Sequence, residues 1–373
     1  MKNLLLIGGG HSHVEVLRRF ARQRAAQVRI TLVNPTTDTP YSGMLPGLIA
    51  GHYTFRQCHI NLPELARSAG CRFVTAAING LHKDARLAFC NTGETLKYDV
   101  VSIDIGSTPA TSGVAGAARH GLKVKPTDRF LLKWDALLER ARQKQLPHGF
   151  RIVIAGGGAA GVEVLLSVQH RLVSAGFSAA HYAVVTDGDD VLPGHSARTR
   201  ALYRRVLQQR NIEVHLRQRI VEVNRHAIIS ASGEQIAADL VIWATGAAPA
   251  GWPKASGLTV DERGFIRVSD TLQVIGQPEI FASGDIASMD GYVRPRSGVY
   301  AVRQGPPLAE NLRRMLRGES LVPYHPQVQS LALISTGDRY AVASKGSLSI
   351  EGAWVWRWKD WIDRRFMKRY GVD

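Results

Sequence analysis

No apolar run in this chain approaches the ~18 residues that a membrane span needs, and Leu4 to Ile7 is too short for a signal-peptide core. A cytoplasmic location is therefore expected. Cysteine is scarce. Cys58, Cys71 and Cys90 have the spacing of neither a metal site nor a redox pair, so inert packing in a reducing compartment is expected, and no metal. Acidic residues are few, 31 against 47 Lys and Arg, which leaves a net charge of +16. That excess draws anionic partners. One basic block, Arg198 to Arg219, holds seven arginines against Glu213 alone and reads as a solvated helix face. Low-complexity linkers are missing too, so domains should pack directly. A hydrophobic fraction of 45% over 373 residues suits two or three globular domains.

What the chain does have is a repeat. Gly8-Gly9-Gly10-His11-Ser12-His13-Val14-Glu15-Val16-Leu17 and Gly156-Gly157-Gly158-Ala159-Ala160-Gly161-Val162-Glu163-Val164-Leu165 lie 148 residues apart and agree at seven of ten positions. Each follows an apolar run, Leu4 to Ile7 or Ile152 to Ala155, as a buried parallel strand should before a tight turn and helix. Glycines in such a turn let the backbone approach a pyrophosphate seated on the free N–H groups of the helix. One fingerprint is weak evidence; two in register indicate a protein that holds two dinucleotides. The second is complete, with Gly156, Gly158 and Gly161. The first has His13 for its third glycine, which predicts a helix standing slightly further from its strand. His11 and His13 read as structural helix-start residues near a phosphate, of reduced basicity.

Between the repeats, Val28 to Val33 reads as a strand, Asn34 to Gly51 as a turn-rich loop, and Asp99 to Ile105 as a buried strand ending at Gly106. Segments near Arg72–Val74, Arg86–Phe89 and Leu96–Tyr98 suggest a small antiparallel excursion. Leu131 to Lys144 and Ser196 to Gln209 read as helices; His181 to Val185 and Asp239 to Ala244 read as strands, the latter ending in Thr245-Gly246. An acid gripping the adenosine ribose is expected after the second strand of each unit. The first unit offers Asn34. The second offers Thr186 at that place and Asp187 beside it, and a carboxylate there favours NADH over NADPH.

In their order, Gly8 to His13, Asp99 to Gly106, the second fingerprint, Asp239 to Gly246, Ile280-Phe281-Ala282-Ser283-Gly284-Asp285 and Gly298 to Gly305 resemble the two-dinucleotide flavoprotein oxidoreductases, which include type II NADH dehydrogenases. The resemblance implies an α/β fold of two Rossmann-like domains: a discontinuous FAD domain (1–115 and 255–318), an inserted NAD(P)H domain (120–252), and a C-terminal region (319–373) ending in an amphipathic helix. It implies FAD held at Gly8, Gly10, His11, Ser12, Asn34, Pro46, Gly106, Gly284, Asp285 and Gln304. NAD(P)H falls to Gly156, Gly158, Gly161, Glu163, Asp187 and Gly246. Asp285 would accept from ribityl hydroxyls. Glu163, near the nicotinamide, and Gln304, on the helix aimed at the flavin pyrimidine ring, are the catalytic candidates. Where type II NADH dehydrogenases carry two glutamines near the quinone, this chain has Val299 and Arg303. Disulfide reductases place a cysteine pair after the second strand; Pro40 to Pro46 contains none. Electrons should pass from nicotinamide to flavin to an outside acceptor.

His11 to Leu17, Thr39 to His52, Leu333 to Asp338 and Glu351 to Trp354 are similar to the flavoprotein subgroup that occurs alone or fused to selenophosphate synthetase, which implies a link to selenium reduction. In the tail, Trp354, Trp358, Trp361, Ile362, Arg365 and Phe366 fall on one helical face. Arg357, Lys359, Arg364, Arg365, Lys368 and Arg369 flank it against Asp360 and Asp363. That suits an interfacial helix over 353–370, seated on the anionic inner face of the cytoplasmic membrane. Packing on the body or in a homodimer fits that helix as well. Three functions stay open. They are a peripheral NAD(P)H dehydrogenase reducing a quinone or similar acceptor, a soluble reductase of a selenium or other small acceptor, and a flavin-bound regulatory module on nucleic acid. Against the third, aromatics do not interleave the arginines outside the tail.

Overall fold

The computed structural model describes residues 1–24 and 27–371. Leu4, Leu5, Leu6 and Ile7 are all at most 2% exposed, so the strand they build, Lys2–Ile7, is covered on both faces. It lies inside an eight-stranded sheet of order Ala287–Met289, Ile266–Val268, Gln273–Val274, Gln277–Ala282, Val100–Ile103, Lys2–Ile7, Val28–Asn34, Arg72–Thr75. Leu4 pairs in parallel with Ile30 on one side and Val100 on the other. Ile280 continues the sheet in parallel with Val101, so strands from distant parts of the chain share one layer.

A second sheet repeats the plan. Its five parallel strands run Gly121–Lys123, Leu240–Trp243, Arg151–Ala155, His181–Val185, Ile212–His215. In both units the fingerprint strand sits between the unit's last core strand and its second, with the third outermost. A three-stranded antiparallel sheet is inserted before the last core strand each time: Ile78–His82, Leu87–Cys90 and Thr95–Lys97 in the first, Ile220–Val223, Ala227–Ser230 and Gln235–Ala237 in the second.

The fold departs from the sequence reading in two places. Arg72–Thr75 is not in the antiparallel excursion; it is the parallel edge strand of the main sheet, pairing Thr31 with Arg72 and Val33 with Val74. The excursion's first strand is Ile78–His82, whose Asn79 and Gly80 mask its strand pattern. Asn34 to Gly51 is not a plain loop either. It contains the helix Leu45–Ala50, started by Pro46 near its N-terminus, and Leu45 and Ile49 join the apolar core of the second unit. The two units are thereby packed directly.

The described chain ends in a three-stranded antiparallel sheet, Ala332–Ser335, Ala341–Lys345 and Leu348–Gly352, followed by the helix Ala353–Lys368. Hydroxyls fasten this sheet to the second unit: Thr199 and His195 bond Ser344, and Ser196 bonds Ser349. Tyr203 donates to the carbonyl of Ile334 at 2.7 Å. The arginine block is largely exposed, as a solvated face should be, and two of its members also reach this sheet while two others pair within the second unit. Arg205 pairs with Glu351, Arg210 with Asp338, Arg204 with Asp190 and Arg217 with Asp189.

Candidate dinucleotide sites

Gly8 and Gly156 open the two turns at φ of +92° and +122°, a region that side chains disfavour. Each is also pressed on the end of its neighbouring strand: a Cβ added at Gly8 would run into the carbonyl of Asp104, and one at Gly156 into that of Ala244. The backbone is thus the same in both units. Around Gly158, Gly106 and Gly246 an added Cβ would meet nothing, so these three border open space.

The interior of the first unit is polar. His13 is fully buried, its Nδ1 2.7 Å from the carbonyl oxygen of Gly8 and its Nε2 2.8 Å from Ser102 Oγ. It fills the room that Gly161 leaves to the backbone of Gly156 in the second unit, where helix and strand approach more closely. Burial lowers the pKa of the His13 and His11 imidazoles to about 4 each, so burial rather than the helix end removes their basicity. Asn34 is bound on both ends of its amide, accepting from Gly9 N–H at 2.8 Å and donating to the Thr36 carbonyl. These bonds brace the turn.

Three residues that sequence reasoning does not single out complete this site. Asp104 is buried, and its Oδ2 accepts from the N–H groups of Ser12 (2.9 Å) and His13 (3.2 Å) at the start of the first fingerprint helix, His11–Arg22. Burial pushes the pKa of its carboxyl up to about 7. Lys125 Nζ lies 2.9 Å from Asp285 Oδ2, to which Ser107 also donates. Burial would raise Asp285, but the Lys125 ammonium and the Ser107 hydroxyl outweigh it and hold the carboxyl below its ordinary value. Ser283 is fully buried, and its hydroxyl, like His11 Nε2, has no partner among the described residues. Buried polar atoms normally find one, so both point to a polar group still to be accommodated. Gln304 is nearly buried and accepts from Gly284 N–H at 2.7 Å, which ties the long helix Gly298–Arg317 to the Gly-Asp turn. Val299 and Arg303 of that helix are exposed, and Pro46 is buried in its own short helix.

In the second unit Thr186 accepts from Gly188 N–H, and Asp187 is exposed at the strand end. Glu163 accepts from Ser335 N–H at 2.6 Å, which turns its carboxylate towards the C-terminal sheet. Burial raises that carboxyl, partly offset by Lys359. Lys359 is itself buried, donating to Asp363 Oδ2 and the Gly43 carbonyl at 2.6 Å each. Burial disfavours the ammonium, but Asp363 and Glu163 overcome this and keep it charged.

Lys359 and Phe366 therefore leave the surface face expected of the tail. Phe366 is 6% exposed and stacks on Tyr41 at 4.3 Å, because the helix buries Val355, Lys359, Asp363, Phe366 and Met367 against the body. Trp354, Trp358 and Trp361 do point outward, at 50%, 36% and 56% exposure. Arg357, Arg364, Arg365, Lys368 and Arg369 are exposed around them. Among the described residues no helix is long and apolar enough to cross a membrane. Cys58, Cys71 and Cys90 are free and buried, and burial pushes the Cys58 and Cys71 thiols up to about 12, which leaves them inert at neutral pH.

The profile of the pyridine nucleotide-disulphide oxidoreductases matches residues 2–305. An NADH dehydrogenase-like protein of Mycobacterium tuberculosis is 27% identical over 239 residues, 62% of this chain and 59% of that protein. The chain thus spans under two thirds of that relative. A type II NADH:quinone oxidoreductase of Staphylococcus aureus is 24% identical over 341 residues, covering 86% of this chain and 84% of its own. Among solved structures, the NDH2 of Plasmodium falciparum in complex with NADH superposes with a TM-score of 0.81 at 16% identity, over 100% of this chain and 99% of that one. The sulfide:quinone oxidoreductase of Aquifex aeolicus reaches 0.82 at 16% identity, over 99% and 91%. These superpositions establish the two-domain α/β fold.

Proposed function

Because the chain belongs to the pyridine nucleotide-disulphide oxidoreductases, we propose that it is an FAD-dependent enzyme taking hydride from NAD(P)H, NADH preferred, and delivering electrons to a quinone. The repeated fingerprint unit carries this reading. Two Rossmann-like sheets share the order of four core strands, and in each the fingerprint strand runs into a glycine turn at a helix start. Bound FAD would supply a two-electron acceptor that can release its electrons to a second substrate. Residues 1–115 with 255–318 would hold it, and residues 120–252 would hold the nicotinamide dinucleotide. The unpartnered Ser283 hydroxyl and His11 Nε2 suit such a group, as does the open space beside Gly106.

The roles of the chain's own residues follow from their contacts. Gly8, Gly10 and Ser12 would line a pyrophosphate as parts of the turn, their own amides donating to the Val33 carbonyl, the Asp104 carbonyl and the Asp104 carboxylate, and Asn34 holds the turn in shape. Asp285, kept ionised by Lys125, accepts from polyol hydroxyls. Gln304 fixes Gly284 and so positions that carboxylate. The Gly298–Arg317 helix has no side-chain cap on its N-terminus, so its amides are free to stabilise negative charge. Gly156, Gly158, Gly161 and Gly246 leave room for the second dinucleotide. Glu163, held by Ser335 and facing the Lys359 ammonium, can hold or pass a proton. With three cysteines, all buried, no dithiol relay is part of the scheme.

The three outward tryptophans, ringed by five exposed cations, support a peripheral seat on an anionic membrane, where a quinone resides. The second reading, a reductase of a small selenium-containing acceptor, draws on the resemblance to the selenophosphate-synthetase flavoproteins and on Val299 and Arg303 standing where the quinone enzymes carry glutamines. One experiment separates them. The purified protein should be yellow and bleach anaerobically with NADH. Stopped-flow reoxidation by short-chain quinones and by selenium compounds then names the acceptor. A protein that holds no flavin, or flavin that NADH leaves oxidised, would overturn the proposal.

A further inference from the structure

We propose that Asp104 belongs to the flavin site and takes up one proton when the dinucleotide's phosphates dock at the first fingerprint helix. The inference rests on the flavin reading above. Asp104 stands where the second unit has Ala244, just past the end of a mostly apolar strand. Its carboxylate already occupies part of the anion seat, on the amides of Ser12 and His13. A Cβ at Gly10 or at Gly284 would run into that same carboxylate, so it lies where the glycine turn meets the Gly-Asp turn.

An incoming diphosphate thus meets a buried negative charge. Protonation resolves the conflict: the repulsion ends, and the new O–H can donate to a phosphate oxygen. The proton comes from solvent and goes to a carboxylate oxygen; nothing is oxidised or reduced. The charged and titratable groups facing Asp104 do not relieve it otherwise. From the fingerprint helix come His11 and His13, both neutral at pH values well above 4. From the Gly-Asp turn comes Asp285, which stays ionised and adds to the repulsion. From the segment after Gly121–Lys123 comes Lys125, whose ammonium is engaged by Asp285. With burial placing the Asp104 carboxyl near neutrality, proton uptake should show within the working range of pH.

Linkage sets the sign. Below about pH 6.5 the proton is already in place and affinity is flat; above about 7.5 it must be taken up, and the FAD dissociation constant should rise about tenfold per pH unit. FAD's diphosphate has no proton to titrate in that range. The test dilutes flavin-loaded protein at pH 6 to 9 and reads released FAD by fluorescence. Calorimetry of FAD rebinding at pH 8, in two buffers of different ionisation enthalpy, counts the protons. Wild type should show the slope and about one proton per FAD. Asp104→Asn and Asp104→Ala should bind with no slope and no uptake. If Asp104→Asn folds poorly, Asp104→Ala, the second unit's own residue, carries the comparison. A slope surviving in the variants, or a flat wild type, overturns the inference while leaving the flavin reading intact. A wild type that binds no FAD at any pH overturns the flavin reading itself.

Discussion

The two dinucleotide units of this protein share a backbone and differ in what fills it. At matching places the first has His13, Ser102, Asp104 and Asn34, and the second has Gly161, Ile242, Ala244 and Thr186. The first is a polar interior in which nearly every group is tied to its own turn. The second is apolar, with a close-packed helix and an unobstructed glycine, Gly158. Side chains that hydrogen-bond to the turn fix its shape before any ligand arrives, which suits a cofactor kept through many turnovers. A bare glycine turn relies on backbone alone, which suits a substrate that must leave after each one. On the assignment proposed above, the same fold supports a resident and a visitor.

The sharpest way to break this contrast is Gly158→Val. The new side chain points into space that no protein atom occupies, so folding and flavin content should hold, while the rate of flavin reduction at low NADH falls about 100-fold, or about 2.7 kcal/mol. Full reduction rates would show that the second turn holds no dinucleotide. Next comes Asp285→Ala, which removes the proposed polyol acceptor and strands Lys125. Flavin affinity should drop ~5–150-fold, from ~1–3 kcal/mol for unpaired buried groups, read as the flavin-to-protein ratio after dialysis.

A stability test addresses the filler residues. His13→Ala leaves Ser102 and the Gly8 carbonyl without a partner and opens a cavity, at about 2–3 kcal/mol. Gly161→Ala should cost a similar amount for the opposite reason, since its Cβ would collide with the Gly156 carbonyl. Denaturant melts of both variants check this. The wild type should also lose stability as pH falls from 6.5 towards 4. Its unfolded chain binds protons in that window that His11 and His13, held near 4, refuse. Each contributes up to ~1.4 kcal/mol per pH unit, and the Asp104 carboxyl, raised to about 7, offsets one of the two, because in that window the folded protein holds a proton there that the unfolded chain does not. His13→Gln should flatten that slope.

What can be read from the chain alone follows the same division. Local motifs announce themselves: the glycine turns, the buried apolar strands and the Gly284-Asp285 pair each carry their signal within a few neighbouring residues. Asp104 does not, since its meaning comes from Ser12 and Gly284, which the fold brings to it from either side. An acid closing a mostly apolar strand is the one signal available there. Lys125 and Lys359 are hidden likewise, because surface and buried lysines look alike until Asp285 and Asp363 are placed beside them. The tail's outward face lies part of a turn from its hydrophobic pattern. Hydrophobicity alone puts Phe366 with the tryptophans, whereas the buried Lys359–Asp363 pair sets which side faces in.

The smallest expected effect sharpens the comparison at the ribose end. In the first unit Asn34 is engaged by the turn, accepting from Gly9 and donating to Thr36. In the second, Thr186 at that place accepts from Gly188, and Asp187 next to it is exposed at the strand end. Asp187 is thus our proposed acceptor for a ribose 2′-hydroxyl, and a carboxylate there would oppose a 2′-phosphate. Asp187→Asn keeps an acceptor and removes the charge, so NADH should weaken only a few-fold while NADPH improves. Asp187→Ala removes both, and NADH should weaken about tenfold, from ~1.4 kcal/mol for one hydrogen bond to a charged group. Steady-state kcat/KM for the two nucleotides reads the outcome, with flavin content as the control for folding. An unchanged NADH-to-NADPH ratio in both variants would place the ribose elsewhere and leave the second unit's preference to its backbone.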